Sequence, residues 1–452
     1  MAALQAYGAE LVARDRWPRA QLLDFQRDRL RSLLAHAVGA SPYYRETFGP
    51  KAGTGEVPLS ELPTLPKATL MAKFDRIVTD PALRLKQLEA HVASADAALP
   101  FAEHYRVFST SGTAGLRGLV VYSEEEFALW VAVSLRVFAR IGITPKTRLV
   151  AIGAPNPLHI SKQLFAALQS GRDGVPRLSV LTPLQETVTA LNEYQPEALL
   201  GYASVVALLA QEQVEGRLRI EPHIVAVGSE VLTDEARERI RAAWGVLPAD
   251  VYASTEALYI ATSTPPHPGL HIYEDLLVVE VVDERNRPVP PGVPGFKVLV
   301  TNLVNRTQPL IRYELSDSVV LADGPDPSGL PYARIASIGG RSDDILRFAA
   351  KAGGELSVHP YRLHHPFATL REVREYQIVH DDQGLCVRVV LQPSASRNTL
   401  VRVGDALRTS LEAAGAVPPP VEVVAVASIE RERGHAAKLK MIKSLVTRPT
   451  QG

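Results

Sequence analysis

Short apolar runs alternate with amphipathic stretches through the middle of the chain, and this alternation constrains the fold more than any other feature. The apolar runs, which are typical of buried strands, read RLVAIG, PRLSVL, EALLGY, HIVAVGSE and ADVYAS. The stretches between them have helical spacing, and the last helix pattern, TDEARERIRAAWG, has an acidic first turn and a glycine stop. Strands that alternate with helices favour a parallel sheet covered by helices. We therefore predict an α/β fold.

Two further helices are predicted before this region. The first is indicated by an apolar stripe at helical spacing, made of Leu23, Leu30, Leu34 and Val38. Gly39 follows the stripe and is predicted to end this helix. Ser123 and Glu126 form a capping-box pattern, which predicts a second helix that runs to Gly142.

The character of the sequence changes after about residue 270. Two β-rich runs flank a Pro/Gly turn in LLVVEVVDERNRPVPPGVPGFKVLVTNL, which indicates antiparallel strands. The last segment contains a hairpin pattern, EYQIVHDDQGLCVRVVLQ, a helix pattern and a strand pattern, VEVVAVASI. A chain of 452 residues is too long for a single core, so we predict a large first domain and a small α+β domain at the C-terminal end.

The charge balance excludes some classes of protein. Lys plus Arg and Asp plus Glu each number 49, so the chain lacks the basic excess of nucleic-acid or membrane-surface binders. Cys386 is the sole cysteine, which excludes an internal disulfide and a multi-cysteine zinc site. The first residues do not form a signal-peptide pattern, and no apolar run of about 18 residues is present. We therefore expect a soluble cytoplasmic protein.

The sequence FSTSGTAGLRG combines hydroxyl side chains, glycines and one arginine. A Walker A loop would need Gly-Lys-Ser/Thr before a helix, whereas a strand-like run, GLVVYS, follows in this chain. The residue types still suit phosphate, because hydroxyls and backbone N–H groups donate, glycines permit close approach and Arg117 adds charge. The candidate phosphate contacts are Ser109, Thr110, Ser111, Gly112, Thr113 and Gly115. The alternative interpretation is an ordinary polar loop.

A second candidate follows the last predicted strand, in VYASTEAL. Ligands of open α/β sheets bind at the carboxyl ends of strands, so Tyr252 could stack on a base, Thr255 could bond a phosphate and Glu256 could hold Mg²⁺. The alternative is a helix N-cap made by Ser254 or Thr255. Asp317 lies in a polar break between β-like runs, where it could accept both hydroxyls of a ribose or simply occupy a turn.

Two more motifs lie nearer the C-terminal end. GGRSDDILRF contains paired acids and an arginine after two glycines, which suits a hinge or a solvated loop with a salt bridge. Lys438, Lys440 and Lys443 crowd the last segment, and such a run is usually a basic solvated tail.

The order of these motifs is more informative than any single motif. The Ser/Gly/Thr loop, YASTE, RYELSD, GRSDD and a C-terminal lysine resemble, in that order, the adenylate-forming acyl/aryl-CoA synthetases, and most closely the phenylacetate–CoA ligase family. The resemblance covers nearly the whole chain and includes LLDFQRDRLRSLLAHAVGASPYYRETF and ELPTLPKATL. It implies a large N-terminal domain of layered, mostly parallel sheets with helices and a β-barrel-like region, followed by a small α+β domain.

The resemblance also implies domain boundaries. Residues 1–339 would bind ATP and the acid, residues 340–344 would form a hinge, and residues 345–452 would form a mobile C-terminal domain. Asp343 falls at the hinge position. A closing domain suits a water-sensitive intermediate, because closure keeps water away from it.

The first nucleotide contacts follow from the resemblance by position. The family's phosphate loop matches Ser109–Gly115, although Leu116–Arg117 stands where relatives commonly carry a Lys/Pro pair. Arg117 keeps the charge but not the geometry of an ammonium group. The adenine-contact segment of the family matches Gly228, Ser229 and Glu230.

The resemblance assigns further nucleotide contacts to the later motifs: Tyr252, Ser254, Thr255, Glu256, Asp317 and Arg341. Tyr252 would lie against adenine, Thr255 near the phosphates and Glu256 on Mg²⁺. Asp317 would bind the ribose, and Arg341 would contact the nucleotide from the domain boundary.

The catalytic lysine of the family has two candidate positions. Relatives often end in Ser-Gly-Lys before a β-like stretch, and AAKLKMIKS fits this pattern with Lys438 as the lysine and Ala436–Ala437 in place of Ser-Gly. A different register puts His435 at the lysine position, which would alter adenylation. We prefer Lys438, because LKMIKS then aligns better with relatives.

The acid pocket implied by the resemblance lies near IGAPNPLHISKQL and GYASVV, and the subfamily suggests an aromatic acid. His159 and Tyr202 are the candidate lining residues. The alternative for His159 is a surface histidine at the start of a helix.

The resemblance implies that ATP and Mg²⁺ activate a carboxylic acid to an acyl adenylate, with release of pyrophosphate and transfer to the thiol of coenzyme A. One alternative is an enzyme that passes the acyl group to a carrier protein, an amine or a hydroxyl. Another is a catalytically silent binding protein on the same fold. The partners implied are a small carboxylic acid and, by analogy, a second copy in a homodimer, but neither nucleic acid nor a membrane.

Overall fold

The structure is a computed structural model. The residues that it describes are 2–94, 96–110, 118–155, 158–169, 175–176, 178–341, 344–358, 360–364, 366–367, 370, 372–393, 395–396, 398–431 and 439–446.

The helices, which include a short 3₁₀ turn at Leu59–Glu61, are α1 Ala2–Arg14, α2 Arg19–Ala40, α3 Pro42–Phe48, α4 Pro50–Thr54, α5 Lys67–Ala72, α6 Phe74–Ile77, α7 Leu85–Val92, α8 Glu124–Arg140, α9 Ile160–Gln169, α10 Leu184–Tyr194, α11 Ala203–Val214, α12 Asp234–Trp244, α13 Pro360–His364 and α14 Thr399–Ala413. The strands are β1 Tyr105–Ser109, β2 Leu119–Ser123, β3 Leu149–Ile152, β4 Ala198–Tyr202, β5 Ile224–Gly228, β6 Ala249–Ser254, β7 Leu258–Ser263, β8 Leu270–Ile272, β9 Leu277–Val282, β10 Lys297–Asn302, β11 Tyr313–Leu315, β12 Asp317–Leu321, β13 Arg334–Arg341, β14 Leu346–Ala349, β15 Glu355–Val358, β16 Val373–Asp381, β17 Gly384–Leu391, β18 Val421–Ala425 and β19 Ile442–Ser444.

The central sheet has the strand order β12-β13-β8-β7-β6-β5-β4-β3. Strands β3 to β6 run parallel to their neighbours, as the alternation of strands and helices predicted. The remaining pairs, from β6 to β12, are antiparallel. The α/β prediction is therefore confirmed, and the parallel half of the sheet presents its carboxyl ends at one edge.

The strand predicted from PRLSVL is wrong for the residues described there, 176 and 178–181. Ser179 makes only an isolated bridge with Gly153. The backbone N–H of Thr182 donates to the Ser179 carbonyl (3.0 Å), which closes a turn. Val180 is buried but Leu181 is 59% exposed, whereas a central strand covered on both faces would bury both side chains. The turn therefore interrupts the run before a strand can form.

The two helices predicted early in the chain form, with one correction each. Helix α2 buries Leu22, Leu33, Leu34 and Ala37, and only Leu34 belongs to the predicted stripe. Adjacent leucine pairs make two neighbouring faces of the helix apolar, so the spacing of apolar residues does not predict which face is buried. The helix also passes Gly39 and ends at Ala40, because Pro42 begins the next helix.

Helix α8 begins with the predicted capping box. The Ser123 hydroxyl accepts from the Glu126 N–H (3.2 Å), and the Glu126 carboxylate accepts from the Ser123 N–H (2.7 Å). The helix ends at Arg140, two residues before Gly142, whose φ of +88° suits glycine.

Two small sheets position the loops that border the cleft described below. Strands β1 and β2 pair antiparallel with Ser109 opposite Leu119, so the described ends of the Ser/Gly/Thr loop, Thr110 and Gly118, lie side by side. Strands β9, β10 and β11 form a three-stranded antiparallel sheet, which includes the pair predicted around the Pro/Gly turn.

The C-terminal residues form a sheet and a core of their own. The sheet has the order β18-β17-β16-β19, and β16 and β17 form the predicted hairpin. One apolar cluster is drawn entirely from this part of the chain, from Leu346 to Ile442. The boundary at residues 340–344 stays a prediction, and Asp343 lies outside the described residues.

Within the residues that the structure describes, no helix combines the length and the apolar character needed to cross a membrane.

Candidate active site

A cleft lies at the carboxyl ends of β5 and β6. Residues that follow these strands form one wall, and Leu439 to Ile442 from the C-terminal part form another. The wall includes these predicted site residues: Thr110, His159, Ser229, Glu230, Tyr252, Ser254, Thr255, Glu256, Asp317 and Arg341. The structure thus brings together residues from every predicted motif except the segments that it does not describe.

Glu256 is held from several directions. Its carboxylate accepts from the Tyr313 hydroxyl (2.9 Å), and its backbone carbonyl accepts from Tyr122 (3.0 Å) and from the Asn302 amide (2.9 Å). Burial, and then the charge of Glu256, raise the pKa of the Tyr313 hydroxyl. These contacts fix the carboxylate, and one of its oxygens lies 3.7 Å from the Lys67 ammonium.

Lys67 is a residue of the cleft that the sequence analysis missed. Its ammonium donates to the Thr110 hydroxyl (3.0 Å), and its side chain is 29% exposed at the cleft. Lys67 is the first residue of α5, after Pro66. A cation at a helix N-terminus is electrostatically unfavourable, so its position in TLPKATL was an available signal of a local function.

The described ends of the Ser/Gly/Thr loop are joined by Thr110. Its N–H donates to the Gly118 carbonyl (2.9 Å), and its hydroxyl accepts from the Gly118 N–H (2.8 Å). Ser109 is buried beside it. The other predicted loop residues, Ser111, Gly112, Thr113, Gly115 and Arg117, lie outside the described residues.

Tyr252, Asp317 and Arg341 form one group at the edge of the cleft. The Tyr252 hydroxyl donates to the Asp317 carboxylate (2.8 Å), whose other oxygen lies 3.6 Å from Arg341 Nε. Burial, and then the charge of Asp317, raise the pKa of Tyr252. A carboxylate has several acceptor positions, so Asp317 can still accept from a ribose hydroxyl.

The helix N-cap interpretation of YASTE is wrong. The Ser254 hydroxyl accepts from the Ala257 N–H (3.1 Å), but the segment is a turn, and β7 begins at Leu258. Leu258 has φ +48°, so the backbone reverses at that point instead of entering a helix. The Thr255 carbonyl accepts from Tyr122 (3.1 Å), which fixes the turn at the cleft.

The segment after β5 is shaped by close backbone contacts. A Cβ atom on Gly228 would lie 2.8 Å from the Val251 carbonyl oxygen, so only glycine fits there. Ser229 follows with φ +64°. Glu230 contacts Ser204 and two C-terminal residues, so its carboxylate reaches the other side of the cleft.

A second cavity adjoins the cleft and shares His159, Ser229 and Thr255 with it. Tyr202 also lines this cavity, and burial raises the pKa of its hydroxyl. The structure therefore places both predicted pocket residues, His159 and Tyr202, in one cavity. Their roles toward an acid stay predictions.

The lining of this second cavity is mostly apolar. Its wall includes Phe138 from α8 and Phe165 from α9, whose rings stack with centroids 6.3 Å apart. Among the described lining residues none is Asp, Glu, Lys or Arg. We call this space the apolar pocket; it suits an uncharged apolar group.

The residues nearest the predicted catalytic lysine lie at the cleft. Lys438 and His435 themselves lie outside the described residues, but Leu439 and Lys440 follow directly and line the cleft. The Lys440 ammonium lies 3.6 Å from Asp344.

A magnesium ion could use Glu256 together with phosphate oxygens. In the described part of the chain, no group of three or more His, Cys, Asp or Glu residues could hold a metal without help. Mg²⁺ commonly takes one or two carboxylates plus substrate phosphates and waters, so a fixed single carboxylate fits this mode.

No protein-family profile matches the chain. The phenylacetate-coenzyme A ligase of Thermus thermophilus is 26% identical over 397 residues, which cover 86% of this chain and 84% of the relative. The phenylacetate-coenzyme A ligase of Escherichia coli (strain K12) is 24% identical over 450 residues, which cover 94% of this chain and 96% of the relative.

A solved structure of 2-hydroxyisobutyryl-CoA ligase, in the postadenylation state with R3-HIB-AMP, has a TM-score of 0.75 and 21% identity. The match covers 96% of this chain and 91% of the solved one, which establishes the fold. Together with the ordered motifs around the cleft, these comparisons support the resemblance to the adenylate-forming superfamily. Within the superfamily, the chain is similar over most of its length to proteins named phenylacetate-coenzyme A ligase, which supports the predicted resemblance to that family.

Proposed function

We propose that this protein activates a carboxylic acid with ATP to an acyl adenylate and then transfers the acyl group to coenzyme A. The observation that carries the proposal is the direct junction, at Thr255, between an uncharged apolar pocket and a polar cleft that contains Glu256, Asp317 and Lys67. The names of the relatives, phenylacetate-coenzyme A ligases, support both the reaction and the acceptor.

The chemistry accounts for the polar residues of the cleft. In the first half-reaction a carboxylate oxygen attacks the α-phosphorus of ATP, a new O–P bond forms, and the bond to pyrophosphate breaks. Two anions must approach each other, so cationic groups are needed where charge develops. We assign this role to Lys67 and Lys438, and Mg²⁺ held at Glu256 would neutralise phosphate charge.

The apolar pocket limits the class of acid that we propose as the substrate. Its described lining offers stacked phenyl rings and aliphatic side chains but no charged partner for a distal group. An aromatic or other apolar acid without a second charge fits this surface, because burying an unpaired charge is costly. The rings of Phe138 and Phe165 support the aromatic choice.

The remaining roles belong to the same proposal. Residues 1–339 would bind ATP and the acid, and residues 345–452 would move about a hinge at 340–344 that includes Asp343. Lys438 is proposed as the adenylation lysine and Asp317 as the ribose-binding acid. A carrier protein as acceptor, a homodimer and a cytoplasmic location stay predictions.

Acid-dependent exchange between ATP and pyrophosphate tests the proposal. We expect exchange with uncharged aromatic acids, and consumption of coenzyme A when it is added. Exchange without coenzyme A consumption would favour a carrier protein, an amine or a hydroxyl as the acceptor. A chain that exchanges with none of a broad panel of acids would instead be the silent binding protein.

A further inference from the structure

Arg140, the last residue of α8, has a buried guanidinium group whose hydrogen-bond donors are unused. All three of its nitrogens are buried, and within the described part of the chain no atom accepts a hydrogen bond from any of them. An arginine side chain does not lose its proton in proteins, so the group stays charged. A buried charge without a partner is strongly unfavourable, so this guanidinium requires a partner from outside the protein.

The rings of Tyr273 and Tyr332 lie close to this guanidinium. Their centroids are 5.3 Å and 5.5 Å from Arg140 Cζ, which is the range of cation–π contacts. Arg136, one helical turn earlier, lies equally close to the same two rings, at 5.2 Å and 5.5 Å. The two arginines therefore lie in one region of the protein, where the rings attract their charge but replace no carboxylate or carbonyl acceptor.

The carboxylates of this region are paired with other arginines. Arg136 donates to Asp275 (2.9 Å) and to Asp15 (3.1 Å), and Arg14 also donates to Asp275 (3.2 Å). Asp275 is fully buried, and 14% of the Asp15 side chain is exposed. Two well-shielded carboxylates thus serve two arginines, and neither of them pairs with Arg140.

The strands β7 and β8 bring further unused polar atoms to this region. Thr262 and His271 lie opposite each other in the antiparallel pair, so their side chains share a face, and Tyr273 follows two residues after His271. The hydroxyls of Thr262 and Tyr273 and the His271 Nδ1 atom are buried, with no hydrogen-bond partner among the described residues. Burial, and then the charge of Arg140, lower the pKa of His271, so the guanidinium lies near this face.

A small anion suits these groups better than water does. Water can accept hydrogen bonds from a guanidinium and a hydroxyl, but it carries no charge to offset that of Arg140. A buried oxygen of Asp275 also has no partner in the described residues, but both Arg14 and Arg136 neutralise this carboxylate. Since the donor nitrogens of Arg140 are buried, the anion has to be compact, which favours a halide over phosphate or an organic carboxylate.

We propose that Arg140 and the Tyr273 hydroxyl bind a chloride ion between α8 and the strands β7 and β8. Neither residue is among the described lining residues of the cleft or of the apolar pocket. The site is therefore separate from the proposed reaction, and its test does not depend on the proposed function. An ion that binds only the native chain stabilises it, and the stabilisation grows with the ion concentration.

Urea unfolding of the full chain, in sodium chloride and in sodium gluconate at equal concentration, tests the proposal. The unmodified chain should unfold at higher urea in chloride, because gluconate is too large for the site. Arg140→Met keeps a long side chain without the charge, so it should abolish the difference between the two salts. In gluconate, Arg140→Met should be at least as stable as the unmodified chain, because an apolar side chain replaces a buried charge without a partner.

Arg408→Ala is the matched control, since Arg408 also lies on a helix but pairs with Asp405 at the surface. It should keep the full effect of chloride. Tyr273→Phe retains the ring and loses only the hydroxyl. It should raise the chloride concentration that gives half of the stabilisation by about 10–100-fold, the usual effect of losing a hydrogen bond to a charged group.

Crystals soaked in sodium bromide give a direct readout of the ion. Bromide should produce an anomalous scattering peak beside the Arg140 guanidinium in the unmodified chain, and no peak there in Arg140→Met. A peak at Arg140 supports the proposal without any measurement of activity.

Several results would overturn the inference. Equal stability of the unmodified chain in the two salts, or no bromide peak at Arg140, would mean that water alone serves the guanidinium. A chloride effect that persists in Arg140→Met would place the ion elsewhere. A large loss of stability of Arg140→Met in both salts would give Arg140 a packing role instead. If Arg140→Met does not fold, Tyr273→Phe decides, and an unchanged chloride dependence in that variant contradicts the proposed site.

Discussion

Among single residues, Lys67 gives the most direct test of the cleft. Lys67→Ala should lower acid-dependent ATP–pyrophosphate exchange by about 10²–10³-fold, the usual cost of losing one group that stabilises developing charge. Steady-state exchange at several ATP concentrations measures the effect. Lys73→Ala is the matched control, because Lys73 directly follows the same helix and is exposed. If the Lys67→Ala variant exchanges as fast as the unmodified chain, Lys67 has no role in the reaction.

Asp250 gives a second single-residue prediction, about stability. Burial raises its pKa to about 7 from an ordinary value of 3.8, against the opposing effect of Arg237. The native state therefore keeps a proton that the unfolded chain releases, so this group's contribution to stability is full below about pH 4 and declines as pH rises through about 7. Asp250→Asn should flatten the pH dependence of stability. At pH 8 it should raise the free energy of unfolding by an amount on the order of 3 kcal/mol.

Chemical denaturation between pH 4 and pH 8 measures this slope. Asp323→Asn, at an exposed position, is the control and should leave the slope as it is. An Asp250→Asn variant with the unmodified pH dependence would show that the buried carboxyl titrates normally.

The sequence predicts the location of some residues of the cleft and not of others. Tyr252 and Glu256 belong to a short motif after a strand, so their common location follows from local order and the sheet rule. The contact between Lys67 and Thr110 joins residues 43 positions apart, in separate elements. Spacing carries no information about such a pair, and only the unfavourable helix position of Lys67 offered a clue.

Among the helices and strands, α8 has a capping box that also binds a distant segment of the chain. The Glu126 carboxylate accepts from the Ser123 N–H and also from the N–H groups of Arg306 (2.7 Å) and Thr307 (3.0 Å). Ser123→Ala should cost about 1 kcal/mol of unfolding free energy. Glu126→Ala should cost more, because each buried donor left without a partner costs about 1–3 kcal/mol.

Urea unfolding of both variants, with exposed Glu125→Ala as the control, checks the order of these costs. A Glu126→Ala cost no greater than that of Ser123→Ala would mean that the contacts to residues 306 and 307 add no stability.

Elements with strong local signals were predictable, and those decided by tertiary packing were not. The β16–β17 hairpin and the cap of α8 follow from adjacent residues. The buried face of α2 does not, because leucine pairs at Leu22–Leu23 and Leu33–Leu34 allowed two faces, and the neighbouring helices select one. The turn at Ser179 also depends on the surroundings of the run, not on its apolar composition.

In the molecule as a whole, α12 links the two parts of the chain. The Arg239 guanidinium donates to the carbonyls of Val373 (2.9 Å) and Arg374 (3.0 Å), at the start of β16, and also pairs with Glu235. Arg239→Ala removes both donors, so we expect the C-terminal part to sample other orientations more often. Small-angle scattering without substrates should show a larger radius of gyration.

Arg241→Ala is the control for this variant, because Arg241 is exposed on the same helix and pairs only locally with Glu238. Identical scattering from Arg239→Ala and the unmodified chain would show that other contacts fix the orientation.

The order of strands in the central sheet has a consequence for synthesis on the ribosome. Strand β8 pairs with β13, yet the whole three-stranded sheet β9–β11 is made between them. The growing chain therefore carries β8 as an open edge until residues 334–341 emerge. That edge is only three residues long, Leu270–Ile272. A short open edge pairs poorly with strands of other chains. The unfinished sheet is therefore less prone to aggregation while the rest of the chain is translated.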